Sequence, residues 1–105
     1  MVSSPLQRAN EVRLHAAQLR AEIASLEPGG GARRAIEAIE NREGALRFRG
    51  LLEAVPGIGS VIGLQMLERA GINPERALQE SQHVSIRQRA LLIGQLLEFE
   101  RTKRR

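Results

Sequence analysis

The chain has no cysteine, tryptophan, tyrosine or aspartate, and its only aromatic residues are Phe48 and Phe99. Without cysteine it can form no disulfide, no thiolate zinc site and no thiol nucleophile. With two rings in 105 residues the core must be aliphatic, built from Leu, Ile, Val and Ala with methionine filling gaps. No apolar run approaches the ~18 residues of a membrane span, and Met1 to Leu6 lacks the charged-then-apolar order of a secretory signal. A cytoplasmic location away from membranes is therefore expected. Period-two alternation is missing throughout, so the fold class expected is all-α. What is present, 42% hydrophobic and 27% charged residues, is the composition of an ordinary globular domain. A domain of this length buries roughly two-thirds of its unfolded surface.

Every acid is glutamate, and every base except Lys103 is arginine. The formal charge of +4 equals the four cations in the last five residues, Arg101, Lys103, Arg104 and Arg105. The rest of the chain is neutral. The high isoelectric point is thus weak support for nucleic-acid binding, although local patches rather than totals contact phosphates.

Ser4-Pro5 forms a helix start, with Ser at the N-cap and Pro at the first helical position. Ala9, Val12, Ala16, Leu19, Ile23 and Leu26 then recur by three and four as one apolar stripe. Pro28-Gly29-Gly30-Gly31 reads as a helix stop and flexible joint. Residues 1–31 are accordingly expected to form an amphipathic arm with a glycine-rich joint. The arm packs on the body, on a second copy or on a protein partner. Residues 32–100 form a helical body and 101–105 a basic tail. Within the body a helix is expected from Ala32 to Glu43, followed by a segment through Leu46, Leu51, Leu52 and Val55 whose continuity with it stays open. Asn73-Pro74-Glu75 predicts a short helix carrying Arg76, Ala77 and Leu78. Ser85 and Gln88 form a capping box for a last helix, roughly Ile86 to Arg101, with Ile86, Ala90, Ile93, Leu96 and Leu97 inward. The core is expected around Leu51, Leu52, Ile58, Ile62, Met66, Leu67, Ile72, Leu92, Ile93 and Leu96.

Val55-Pro56-Gly57-Ile58-Gly59-Ser60 joins one apolar helix end to the start of the next. Gly57 and Gly59 permit backbone angles and approaches that side chains block, and Ile58 between them can act as a plug. The amides at the start of the following helix lack partners within it, which makes a phosphate site without any basic side chain. Spacing alone fits a tight interhelical turn equally well. No Gly-Lys-Ser/Thr follows, so this is not a nucleotide-binding P-loop. Gly71 is expected to end that helix, with Ile72 folding back on it. Arg87 and Arg89 occupy the first turn of the last helix, where the dipole disfavours cations. Anion binding and plain solvation both account for them.

Taken together, Leu51 to Gly59, Gln65 to Ile72, Arg76 and Arg87-Gln88-Arg89 resemble the actinobacterial-type integration host factor. The resemblance covers about residues 46–99. It implies a helix-two-turns-helix body behind a long N-terminal helix, a body also found in a small-subunit ribosomal protein and in DNA glycosylases. It also implies a nucleoid-associated, non-enzymatic protein that binds double-stranded DNA with weak sequence preference. By the same resemblance Gly57, Ile58, Gly59 and Ser60 would contact phosphate through the hairpin, with Arg76, Arg87 and Arg89 as further contacts. The tail cations Arg101, Lys103, Arg104 and Arg105 complete the candidate DNA-binding set. Two departures stand out: Ser60, Val61, Ile62 and Gly63 replace the lysine and following basic residues of the family. Ala77, Gln79 and Glu80 replace cations in the link to the last helix.

His15 and His83 have no Asp or Cys companion, and Glu98 and Glu100 lie beside Arg101 at a polar helix end where solvated charge is expected. No catalytic group, metal or cofactor is expected. A protein-interaction module and an RNA- or ribosome-binding protein on the same body remain the alternatives to DNA binding.

Overall fold

In the computed structural model, residues 4–80 and 83–103 are described, and among them the chain forms five helices and no strand. These are α1 (Pro5–Ser25), α2 (Pro28–Glu40), α3 (Phe48–Ala54), α4 (Gly59–Ala70) and α5 (Ile86–Lys103). The all-α expectation is met.

Helix α1 starts as its sequence dictates. The Ser4 hydroxyl accepts from the Gln7 amide at 3.2 Å, and the Gln7 side chain accepts from the Ser4 amide at 3.1 Å. Leu19 and Ile23 are buried against α2 and α3, so within this chain the arm packs on the body. Val12, Leu26, Leu6 and Leu14 stay largely exposed. The stripe is therefore narrower than its periodicity suggests, and only its second half is covered.

The glycine run does not form a joint. Leu26 and Glu27 alone separate the helices, and Pro28 to Gly31 are the first turn of α2. Pro at the first helical position has the required φ already set and lacks only an amide that would be unpaired there. Gly31 is needed for space. A Cβ there would lie 2.9 Å from Pro56 Cδ and 3.4 Å from the Ile23 carbonyl oxygen. The expected helix from Ala32 to Glu43 thus begins four residues earlier and ends at Glu40, capped by Asn41. A turn through Arg42 (φ 52°) and Gly44 (φ 76°) separates it from α3, so the two helices are not continuous.

The short helix expected at Asn73 is absent. Asn73 Oδ1 accepts from the Glu75 amide at 2.9 Å in a local turn, and the chain then runs antiparallel to residues 44–48. The amide of Phe48 donates to the Arg76 carbonyl, Leu78 to Leu46 and Gln79 to Gly44, at 2.9 to 3.0 Å. These cross-loop bonds satisfy the backbone while burying Ala77 and Leu78, which outweighs weak local helix preference. Helix α5 opens with the expected box, Gln88 Oε1 accepting from the Ser85 amide (2.8 Å) and Ser85 Oγ from the Gln88 amide (3.1 Å). It runs antiparallel to α4, with Gln88 Nε2 donating to the Gly71 carbonyl (2.7 Å) and Gln95 Nε2 to that of Met66 (2.8 Å). Gly71 ends α4 in the left-handed conformation and Ile72 folds back into the core, as expected.

The core is aliphatic and continuous from Leu19 to Leu96, with Leu51, Leu52, Leu67, Leu92 and Leu96 fully enclosed. Four residues expected to point inward are not in it: Ile62, Ile86, Ala90 and Leu97 face outward. Glu100 reverses the expectation of a solvated charge. It is 3% exposed, accepts from Arg33 Nε at 3.3 Å and lies 3.2 Å from Arg33 Nη2.

One ion-pair cluster ties α1 to the body. Arg34 donates to both Glu43 oxygens at 2.5 and 2.8 Å and to Glu22 of α1 at 3.1 Å. Arg34 holds the Glu43 carboxyl below its ordinary value, chiefly by the direct hydrogen bond. A lowered folded-state value means the stabilisation is fully present above the ordinary pKa near 4.5 and fades as pH falls through the folded value. Glu43→Gln should therefore cost about 1 kcal/mol at neutral pH. In thermal melts across pH, the gap between variant and parent should close on acidification; a gap independent of pH would show that the charge of Glu43 contributes nothing.

Candidate nucleic-acid interface

The turn between α3 and α4 is held from three sides. Pro56 packs against the bare first turn of α2 at Gly31. Ile58 is 3% exposed, and its amide donates to the Val55 carbonyl at 3.1 Å. Gly57 (φ 93°) lies against Phe99 of α5, whose Cζ would be 3.2 Å from a Cβ at this position. Gly59 also has a positive φ (68°) but meets nothing, so its requirement is conformational alone.

Helix α4 then begins with no side-chain cap. The amides of Gly59, Ser60 and Val61 occupy its first three positions, have no partner within the helix, and belong to exposed residues. Ile58, also in the candidate set, faces inward. Its side chain is in the core and its donor is used, so it supports the turn from beneath.

The candidate cations fall into two groups. Lys103, at the end of α5, reaches the turn: its Cε would lie 3.9 Å from a Cβ on Gly57, and its Nζ is 5.7 Å from the Phe99 ring centroid. Arg101, two residues earlier, donates twice to Glu98 at 2.8 Å. Arg104 and Arg105 lie outside the described residues. Arg87 and Arg89 are at the opposite end of α5, roughly 21–24 Å from Lys103 at 1.5 Å per residue. Arg87 is exposed, whereas Arg89 lines a hollow with Glu40 at the end of α2, its Nε buried without a partner. Arg76 donates to Glu80 at 3.4 Å, and Glu80 also accepts from the Ala77 amide at 3.0 Å. That backbone bond, more than Arg76, holds the Glu80 carboxyl below its ordinary value. Arg76 is thus engaged with Glu80, Arg89 is half-buried at the far end of α5, and the turn, Ser60 and Lys103 are what the fold brings together.

The proximity of Lys103 to Gly57 had no signal in sequence except the charge count of the tail. Immediately after the turn, Val61 (68% exposed) and Ile62 (47%) present apolar side chains to solvent. Among the described residues no group of three metal-ligating side chains exists, and no helix is long and apolar enough to cross a membrane.

The plug is testable. Ile58→Ala should cost ~2–5 kcal/mol, the range for emptying an aliphatic core position, and Gly31→Ala ~1–3 kcal/mol because Pro56 must shift. Urea titrations of both variants measure this; a loss under ~1 kcal/mol for Ile58→Ala would mean the turn is not anchored through this side chain.

No protein-family model, curated protein or solved structure matches the chain.

Proposed function

We propose that this chain is a non-enzymatic, weakly sequence-specific double-stranded DNA-binding protein of nucleoid organisation, similar to the actinobacterial-type integration host factor. In this reading α3, the turn and α4 correspond to the helix-two-turns-helix body of that family. The observation that carries the proposal is the start of α4, without a side-chain cap and formed by the exposed residues Gly59, Ser60 and Val61, with Lys103 beside the turn. Backbone amides and a helix N-terminus suit phosphate and carry no base information, which accounts for weak sequence preference. Lys103 supplies, from α5, a cation that the hairpin itself lacks. The turn is held by Ile58, Pro56 and Phe99, so little ordering accompanies binding.

The test is binding of duplex DNA of unrelated sequences over a salt series, with duplex RNA of matched sequence as a second arm. Affinity should fall with salt and differ little between DNA sequences, log K dropping by ~0.9 per neutralised phosphate. Lys103→Ala should weaken all sequences alike and reduce the slope by about 1. Ser60→Pro removes one amide at a position where a helix tolerates proline, and should weaken binding without lowering the thermal midpoint. Truncation after Lys103 controls for the tail. If it abolishes binding while Ser60→Pro and Lys103→Ala bind like the parent, the turn is not the site. Tighter binding to the RNA duplex would redirect the proposal to RNA.

A further inference from the structure

A trough of about 560 Å³ runs between α4 and α5, its apolar lining formed by Ile62, Met66, Ala90, Leu91, Gly94 and Phe99. Ile62 and Leu91 are each nearly half exposed there. Gly94 lies in the interior of α5, where glycine is normally unfavourable relative to alanine. A Cβ on it would meet nothing within 4 Å, so packing within this chain does not require the glycine. Together with Ala90 one turn earlier it leaves bare backbone open to the trough, room for another helix to approach closely.

The charge around the trough identifies the occupant. Arg69 lines one end and has no ion-pair or hydrogen-bond partner among the described residues. At the other end Lys103 stands over Phe99, and Glu98 is neutralised by Arg101. Both ends therefore carry uncompensated positive charge. A second copy docked about a two-fold axis would set this patch against itself and bring like charges together. Helix α1 of another copy is no better suited, since Arg8, Arg13 and Arg20 outnumber Glu11 and Glu22.

We propose that this trough docks an amphipathic helix of a partner protein, with apolar residues at i, i+4 and i+7 inserted between α4 and α5 and acidic residues flanking them toward Arg69 and Lys103. The surface is distinct from the hairpin amides, although Phe99 and Lys103 border both.

The experiment selects a displayed library of random peptides of about 16 residues, four helical turns, on the full chain. Gly94→Leu serves as the counter-target. The substitution fills the trough from an open position and favours the helix, so its thermal midpoint should not fall below the parent's; Leu91→Gln is a second variant that removes an apolar wall. Selected peptides should share the apolar spacing with Glu or Asp in the flanks, and should lose at least about tenfold in affinity on either variant. Replacing their acids with lysine should weaken binding by a similar factor. Peptides indifferent to both variants, or peptides with basic flanks, would overturn the proposal. So would sedimentation showing a dimer that Gly94→Leu dissociates, because a second copy would then cover the trough.

Discussion

The first turn of α2 has to lie directly on the α3–α4 turn, and the rest of the structure is arranged around that approach. Gly31 has no Cβ where one would stand 2.9 Å from Pro56, and the carbonyl of Ile23 closes the same spot from α1. One residue thereby sets how near the arm, the second helix and the hairpin come to each other. Close-packed interiors transmit such a constraint, since a methyl group too many displaces whole elements rather than one side chain. With α2 held in place, its other face (Ala35, Ile36, Ala38 and Ile39) packs into the core that Leu92 and Leu96 of α5 also enter.

Only two rings are available, and both sit at junctions. Phe48 is buried at the start of α3, where the paired loops meet the helices. Phe99 spans from α5 to Gly57, so the hairpin is braced by the last helix as well as by Ile58 from within. Elsewhere aliphatic side chains suffice, because every interface is between helices or between a helix and a short loop. An exposed, uncapped helix start can persist because its surroundings, rather than its own cap, hold it.

Charge is distributed by a related economy. In the body arginine and glutamate are matched, mostly across elements: Arg34 with Glu43 and Glu22, Arg49 with Glu75 as well as Glu53 of its own helix, Arg47 with Glu75, Arg33 with Glu100. Those exposed on both sides, such as Arg47 with Glu75, contribute little each. Their effect is to leave few cations unengaged. Lys103 and Arg69, at opposite ends of the α4–α5 pair, are among those that remain, and they give the two proposed surfaces their positive sign.

Local signals were legible in the sequence because their partners lie within a few residues. The Ser4-Gln7 and Ser85-Gln88 boxes, the stop at Gly71 and the turn at Gly57 and Gly59 depend on backbone geometry and hydrogen bonds spanning three or four positions. The all-α class and the aliphatic core follow from periodicity for the same reason. Tertiary structure alone decided the rest. Pro28 to Gly31 became helix because distant Pro56 demanded the missing side chain, and Ala77-Leu78 became a paired loop because residues 44–48 offered backbone partners. Glu100 is buried although charged residues stand on either side of it at Glu98 and Arg101, since Arg33 of α2 meets it. Ile62, Ile86 and Leu97 face solvent although their spacing is that of core residues, because periodicity marks an apolar face without saying what covers it. The candidate site divides in the same way. Its amides were readable from the glycine spacing, but the lysine beside them comes from the far end of α5, and only the antiparallel packing of α5 on α4 brings it there.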